Sequence, residues 1–375
     1  RCGGCDLQHA SYASQCTLKE EIVRELIAGG EPDGLKKTVS RIKQIIPSPQ
    51  EFCYRQRIRM KVDKRGIPGF THFRSHQIVP VSKCLLAAKP INDCLAELCG
   101  HQDFKSLSLA AEELELILNQ LSGGVSLRLM LRRPPRPADR SRAQALVGDI
   151  DILERLFFYG RKFAQQGPYG CEDSPKDTLL GFEIEDELPI RLGWEIGGFS
   201  QVNLRQNLEM IRLVRQYASP EPSDRILDLY CGMGNFSIPL AREASTVVGI
   251  EGQGSAIRSA RRNAESNNIT NCTFIKSEVA SACRDLVSKG ESFETVVCDP
   301  PRRGLAELAS LAESLARQRI IYVSCDPATL IRDLQELVSG GFTIATVQPV
   351  DMFPHTHHLE TVVVLEKNQS GSRKH

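Results

Sequence analysis

The feature that most constrains the fold is the regular alternation of short apolar segments with helical segments after about residue 200. Helical patterns lie between most of the apolar runs, and Asn203 is placed to cap a helix that continues to about Tyr217. Strands that alternate with helices form a parallel, doubly wound sheet. The back half is therefore predicted to be a Rossmann-like α/β domain. Its expected strands are 225–229, 246–250, 273–275, 295–298, 319–323, 343–347 and 361–365.

The front half is predicted to be rich in β structure. A capping box at 17–20 indicates a short helix that stops at Gly29 and Gly30. Residues 90–120 look helical, with 110–121 as the strongest stretch. Strands are expected within 38–85, at 125–131, and near Ile152 and Phe182.

These patterns divide the chain into four parts. The expected parts are a cysteine-containing segment with a short helix (1–37), a central β-rich domain (38–194), the Rossmann-like domain (195–367) and a disordered tail (368–375). The first residue is Arg1 rather than Met, so we expect a segment upstream of it.

Composition limits the class of protein. The 375 residues are 41% hydrophobic and 25% charged, as in an ordinary globular protein, and the net charge is +1. No apolar run has the length of a transmembrane helix, and no signal peptide opens the chain. The 13 cysteines, an odd number, favour reduced thiols with metal or catalytic use for some. We expect a cytoplasmic monomer without a membrane partner.

Cys325 is a candidate nucleophile. It follows the apolar run 319–324 and precedes Asp326, an expected N-cap, and Pro327, an expected first helical residue. This places a thiol at the carboxyl edge of the predicted sheet, where α/β proteins bind ligands. The helix dipole is expected to favour its thiolate form. A buried cysteine can also be only a small apolar side chain.

The segment DLYCGMGN at 228–235 predicts a cofactor loop. It follows a strand and precedes a helix, and Glu251 ends the next strand 23 residues after Asp228. An acidic residue at that spacing suits the hydroxyl groups of a ribose. The segment lacks one glycine of the dinucleotide fingerprint, and it resembles class I S-adenosylmethionine-dependent methyltransferases more than NAD enzymes.

The motif DPPRRG at 299–304 places Asp299 at the same sheet edge. Amino methyltransferases have an aromatic residue where this chain has Arg302, which argues against an amine target. A thiol 26 residues after Asp299 suggests methylation of a pyrimidine carbon instead. There a thiolate adds to carbon 6, and a base later removes the proton from carbon 5. Glu360 and the histidines of DMFPHTHHLE (351–360) are the candidate bases, although the histidines could also bind a metal or lie in a solvated loop.

Five ordered motifs carry a resemblance to a known family. They are FSQVN at 199–203, DLYCGMGN, DPPRRG, SCDP at 324–327 and DMFPHTHHLE, and together they closely resemble the RNA uracil-5-methyltransferases. The resemblance implies that Cys325 is the nucleophile and Glu360 the proton acceptor. It also implies that S-adenosylmethionine is bound by Gln201, Tyr230, Asn235, Glu251, Glu278 and Asp299.

The segment CGGC at 2–5 suits zinc, a redox pair or an iron-sulfur cluster when taken alone. In the ribosomal-RNA branch of the family, such a segment binds a 4Fe-4S cluster. The resemblance therefore implies that Cys2, Cys5 and Cys84 are cluster ligands, with a fourth cysteine upstream of this chain. It favours 23S ribosomal RNA as the substrate.

Two groups of cations are expected to contact RNA phosphates. The first is a strip of Arg55, Arg57, Arg59 and Lys61 on one face of a strand, unbroken by acidic residues along it. Tyr54, Phe70 and Phe73 lie near this strip and suit base stacking or core packing equally. The second group is Arg128, Arg132, Arg133, Arg136, Arg140 and Arg142.

Two alternatives remain open: a transfer-RNA uracil-5-methyltransferase, or an iron-sulfur RNA-binding module without catalysis. A DNA cytosine-5 enzyme is not expected, because its nucleophile would lie in an earlier Pro-Cys motif.

Overall fold

The two halves expected from the sequence correspond to two seven-stranded sheets. The computed structural model describes residues 2–30, 35, 37–170, 179–306 and 308–368. The first compact unit comprises Arg1–His9, Gln50–Glu183 and Ser200–Leu204, and the second comprises Ala10–Pro49, Ile184–Phe199 and Arg205–His375. Of the predicted tail, all but Asn368 lies outside the described residues. Within the described ranges, no helix is both long and apolar enough to span a bilayer.

The first helix, α1 (Tyr12–Gly29), begins earlier than the sequence predicted. Ser11 is its N-cap, and the Ser11 hydroxyl oxygen accepts a hydrogen bond from the Ser14 N–H at 3.2 Å. Thr17 of the expected capping box lies inside the helix instead. The predicted end at Gly29 is confirmed. A short 3₁₀ helix follows at Lys37–Arg41.

The sheet of the first unit is mainly antiparallel. Its strand order is β3-β2-β1-β4-β5-β6-β7, and only the β5–β6 pair is parallel among these neighbours. The strands are β1 (Arg57–Val62), β2 (Pro68–Thr71), β3 (Ile78–Pro80), β4 (Ala111–Leu118), β5 (Val125–Leu131), β6 (Leu153–Gly160) and β7 (Phe163–Tyr169). Its helices are α2 (Lys89–Gly100), α3 (Gln102–Ser108) and α4 (Pro137–Asp149).

The prediction of a helix at 110–121 was wrong, because this segment forms β4. Its apolar residues fit a helical stripe, yet β4 pairs with β1 on one side and with β5 on the other. A central strand is buried on both faces, so it does not show the simple alternation that identifies an exposed strand. The strand predicted at 125–131 is confirmed as β5.

Two further strands, β8 (Leu179–Ile184) and β9 (Ile190–Glu195), lie in sequence between the two large sheets. The second unit's sheet has the order β12-β11-β10-β13-β14-β16-β15. Its strands are β10 (Arg225–Leu229), β11 (Thr246–Glu251), β12 (Cys272–Lys276), β13 (Phe293–Cys298), β14 (Ala316–Ser324), β15 (Phe342–Val350) and β16 (Glu360–Lys367). Its later helices are α5 (Leu204–Ala218), α6 (Ser237–Leu240), α7 (Gly254–Ser266), α8 (Val279–Ser288), α9 (Leu308–Leu315) and α10 (Pro327–Ser339).

The Rossmann-like prediction is confirmed, with one change in strand direction. Strands β10 to β14 are parallel neighbours, whereas β16 is antiparallel to both β14 and β15. Helices α8, α9 and α10 supply apolar side chains to the core that covers this sheet. The carboxyl ends of β10, β11, β13 and β14 consequently share one edge of the sheet.

Candidate active site

Cys325 directly follows β14 and precedes α10, as the sequence predicted. The Asp326 carboxylate caps α10 by accepting hydrogen bonds from the N–H groups of Ala328 and Thr329, both at 3.0 Å. Pro327 is the first helical residue. Cys325 is half-buried, so its thiol is protected but reachable.

The environment of Cys325 does not favour the thiolate in the protein alone. Burial and, after it, the charges of Glu360 and Asp299 raise the pKa of this thiol to about 11, while Arg302 opposes them. The expectation that the helix dipole favours the thiolate was therefore wrong for this state. Desolvation and, after it, the two nearby carboxyl groups dominate the pKa of this thiol.

Glu360 begins β16 and lies at the same sheet edge as Cys325. The register that pairs Ser324 of β14 with Thr361 of β16 makes the thiol and the carboxyl group neighbours across two strands. Glu360 is only 4% exposed. Burial raises its pKa well above the ordinary value, Asp299 adds to the effect, and Arg302 opposes it. A carboxylate with a raised pKa is a stronger proton acceptor.

The three histidines of 351–360 lie in different environments. His355 is buried and its Nδ1 lies 3.1 Å from the Gln15 Nε2, whereas His357 is exposed. The His358 Nε2 lies 3.5 Å from an Arg302 guanidinium nitrogen. Among the described residues, no three histidine, cysteine or acidic side chains are grouped to hold a metal ion. Of the four candidate bases, Glu360 is the one whose charge acts on Cys325.

The loop after β10 has the backbone curvature of a small-molecule site. Tyr230, Gly232 and Gly234 have φ values of 64°, 57° and 88°. A Cβ atom at Gly234 would lie 2.9 Å from the Cγ1 atom of Ile238, whereas the space beside Gly232 is open. The missing Cβ at Gly232 leaves room for a ligand to approach the backbone of this loop.

Acidic groups surround that loop at the ends of three adjacent strands. The half-buried Glu251 ends β11, and its Oε1 accepts a hydrogen bond from the Gln253 N–H at 2.7 Å. Burial raises the pKa of Asp228 to about 7, and burial together with Asp228 raises the pKa of Asp299 to about 7. Carboxylates beside open backbone suit the hydroxyl and ammonium groups of S-adenosylmethionine.

The remaining predicted cofactor residues are placed differently. Asn235 exchanges two amide hydrogen bonds with Asn207, both at 3.0 Å. The Glu278 carboxylate caps α8 by accepting from the N–H groups of Ala280 and Ser281. Gln201 belongs to the first unit, so the second unit's geometry does not test its predicted role.

The sequence pattern missed Arg302 and Asp333 as parts of this site. Arg302 is exposed, and its charge acts on both Cys325 and Glu360. Asp333 is buried in α10, where its Oδ2 accepts from the Leu305 N–H and the Tyr322 hydroxyl, both at 2.6 Å. Asp333 thereby holds the end of the DPPRRG loop, a role that no local spacing signals.

The three candidate cluster cysteines lie in the first unit. Burial and, after it, the charges of Cys84 and Cys2 raise the pKa of Cys5 to about 11, so the three thiols act on one another. Asn92 fixes the Cys84 backbone by hydrogen bonds to both its N–H and its carbonyl, each at 2.9 Å.

The predicted basic strip exists on β1, but acidic residues of β4 neutralise part of it. Glu115 is fully buried and contacts Arg57 at 2.6 Å, Arg59 at 3.0 Å and Arg128 at 2.6 Å. Lys61 pairs in the same way with a neighbouring glutamate of β4. Arg128 therefore belongs to the first group of cations rather than to a separate one.

The second cationic group is also partly paired. Arg133 contacts Asp139 at 2.5 Å, and Arg142 lies 3.5 Å from Asp103. Arg132, Arg136 and Arg140 are exposed, and no ion pair involving them is found among the described residues. Exposed cations without acidic partners keep their charge available to a polyanion.

Comparison with known proteins identifies the family. Residues 190–368 match the family model described as tRNA (Uracil-5-)-methyltransferase. The 23S rRNA (uracil(1939)-C(5))-methyltransferase RlmD of Pseudomonas fluorescens strain Pf0-1 is 32% identical over 99% of this chain and 78% of its own length. The protein of the same name from Vibrio parahaemolyticus is 31% identical over 98% of this chain and 80% of its own length.

A solved structure has the same fold. It is the Pyrococcus abyssi tRNA (uracil-54, C5)-methyltransferase in complex with S-adenosyl-L-homocysteine, with a TM-score of 0.72 and 25% identity. The alignment covers 97% of this chain and 86% of that structure. With these relatives about one-third identical over nearly its whole length, the chain belongs to the RNA uracil-5-methyltransferase family.

Proposed function

We propose that this enzyme methylates carbon 5 of a uridine in 23S ribosomal RNA, acting as a cytoplasmic monomer. The observation that carries the proposal is the placement of Cys325 and Glu360 at one sheet edge, on strands paired through Ser324 and Thr361. The choice of RNA is supported by relatives at about one-third identity that carry a 23S rRNA name.

The chain's residues divide the reaction between them. The Cys325 thiol gives up its proton to solvent as its sulfur bonds to carbon 6 of the uracil, and the electron pair of the 5,6 double bond moves to carbon 5. When bound, S-adenosylmethionine supplies the electrophilic methyl group that carbon 5 takes. Glu360 then accepts the proton from carbon 5. The electrons of that C–H bond restore the double bond as the carbon–sulfur bond breaks and releases the thiolate.

S-adenosylmethionine is proposed to be bound by Tyr230, Asn235, Glu251, Asp299, Gln201 and Glu278. The curved backbone at 230–234 and the adjacent carboxyl groups support this assignment for the first four. The Glu278 carboxylate is already occupied as the N-cap of α8, so we propose that the backbone near Glu278 contacts the cofactor instead. Arg302 is proposed to moderate the negative charge around the nucleophile and the base.

Cys2, Cys5 and Cys84 are proposed to be ligands of a 4Fe-4S cluster, completed by a cysteine upstream. Their mutual electrostatic influence supports this, since cysteine thiolates are the ligands that hold such clusters. The proposed role is architectural. The Gly3 N–H donates to the Thr71 carbonyl at 2.9 Å, so this segment lies along the β2–β3 hairpin.

The first unit, which includes most of the expected central domain 38–194, is proposed to hold the RNA. Tyr54 is 1% exposed and Phe70 packs against the core, whereas Phe73 is 58% exposed. The Arg74 guanidinium lies 5.1 Å from the centre of the Phe73 ring. Of the three aromatic candidates, Phe73 is therefore the one available to stack on an unpaired base.

The test is methylation of unmodified RNA with S-adenosylmethionine, followed by nucleoside mass spectrometry. We expect 5-methyluridine in 23S ribosomal RNA and not in transfer RNA. The reverse preference would support the transfer-RNA reading, which the description of the family model favours. Product on neither RNA would refute both.

The assigned roles are tested by trapping. Glu360→Gln should complete methyl transfer but fail to release the RNA, which leaves a protein–RNA adduct that survives denaturation. Adding Cys325→Ala should abolish the adduct. If Cys325→Ala keeps full activity, the nucleophile is assigned wrongly.

A further inference from the structure

Helix α1 presents two buried polar side chains to the segment that leads to Glu360. The Lys19 ammonium group lies 2.6 Å from the Asp351 carboxylate, and the two side chains are only 1% and 0% exposed. Lys19 also donates to the Phe353 carbonyl at 3.1 Å. The Lys19 side chain thus holds Asp351, the first residue after β15, and the backbone of Phe353.

Gln15, one helical turn before Lys19, holds the middle of the same segment. Its Oε1 accepts from the His355 N–H at 2.8 Å, and its Nε2 lies 3.1 Å from the His355 Nδ1. The Gln15 Nε2 also donates to the Ala10 carbonyl at 3.0 Å. His355 has a φ of 67°, a conformation that most side chains disfavour. The two hydrogen bonds from Gln15 secure this conformation.

These contacts are not explained by stability alone. Replacing a buried ion pair by apolar side chains is often neutral or stabilising, because desolvation of both charges offsets their attraction. Directional contacts instead select one arrangement of a segment. The segment 351–359 joins β15 to β16, and Val350 pairs directly with Glu360 across that junction. Its conformation therefore determines how Glu360 enters the sheet edge beside Cys325.

We propose that Lys19 and Gln15 are positioning residues that fix segment 351–359 and, through it, the carboxylate of Glu360. This inference rests on the proposed role of Glu360 as the base. Proton removal from carbon 5 is then the step most sensitive to α1, because a displacement of about 1 Å can slow a positioned step by about a hundredfold. The two earlier steps are addition of the thiol and transfer of the methyl group. They depend on groups that neither Lys19 nor Gln15 contacts.

The test uses Gln15→Met, which removes both hydrogen bonds to His355, and the double variant Lys19→Met/Asp351→Leu, which replaces the ion pair by apolar side chains. Single-turnover methyl transfer and the fraction of enzyme trapped as denaturation-resistant adduct are measured for each. We expect both variants to fold and to accumulate adduct about tenfold above the natural protein, with a much smaller loss in methyl transfer.

Arg24→Met is the matched control, because it removes an ion pair with Glu20 on the same helix and leaves the segment's contacts unchanged. It should show no added adduct. If Gln15→Met and the double variant lose both steps in proportion, or neither, the positioning role is refuted. Glu360→Gln, measured in parallel, separates the two ideas: trapping by Glu360→Gln without trapping by the α1 variants overturns only this inference. Absence of trapping in Glu360→Gln overturns the proposed base.

Discussion

Replacing Glu115 by glutamine should strongly destabilise the first unit. The carboxylate is fully buried and contacts three arginines, of which Arg57 and Arg128 are only 14% and 10% exposed. Glu115→Gln leaves these two guanidinium groups desolvated without a counter-charge. Breaking a buried pair in this way costs about 3–5 kcal/mol. The contact with Arg59, which is 55% exposed, adds little.

The matched control is Glu113→Gln, one pair along the same strand. Its partner Lys61 is 51% exposed, so the expected loss in the free energy of unfolding is about 0–1 kcal/mol. Amide hydrogen exchange of peptides from β1, β4 and β5 measures both variants. Since 1.4 kcal/mol is about a factor of ten, the slowest amides should exchange at least about a hundredfold faster in Glu115→Gln.

The pH dependence gives a second check. Burial acts to raise the pKa of Glu115, but the charge and hydrogen bond of Arg57 and the charge of Arg128 outweigh it, so the pKa is lowered below 4.5. A lowered folded-state pKa contributes stability above the unfolded value and loses it as the pH falls through the folded value. The gap between natural protein and Glu115→Gln should therefore narrow in acid. Equal exchange in Glu115→Gln and Glu113→Gln at neutral pH would refute the reasoning.

Two further predictions concern the second unit. Because the pKa of Cys325 is about 11, its alkylation by iodoacetamide should accelerate about tenfold per pH unit from 7 to 10. Glu360→Gln should raise the alkylation rate at pH 8. Peptide mass spectrometry measures the rate, and a pH-independent rate would contradict the prediction. Gly234→Ala should weaken S-adenosylmethionine binding about tenfold by calorimetry, because φ is 88° and its Cβ would lie 2.9 Å from Ile238. Gly290→Ala, with φ of 70° and open space around it, is the control that should bind normally.

Local signals predicted the parts of the site that depend on neighbouring residues in sequence. Asp326 and Pro327 start α10 as expected, because capping is decided within one helical turn. Strand β10 has the predicted bounds, since a short apolar run before a glycine-rich turn has few alternative structures. The fold class and the neighbourhood of Cys325 could be predicted for the same reason.

Features that depend on distant partners could not be predicted. The apolar spacing of β4 fits a helix until β1 and β5 are placed on its two sides. The arginines of β1 have no acidic neighbour in sequence, and their ion pairs with Glu115 form only when β4 pairs with β1. The pKa of Cys325 is likewise raised by groups from two other strand ends, so the adjacent helix was a poor guide to its charge.

The reversed direction of β16 has a consequence for how the enzyme matures. Because β16 lies between β14 and β15, the sheet cannot close when β15 is made, and a gap beside β14 must wait for residues 360–367. The same late insertion delivers Glu360 to Cys325. A chain emerging from the ribosome would carry the proposed nucleophile and cofactor loop long before the proposed base, so on these assignments turnover must wait until β16 has docked.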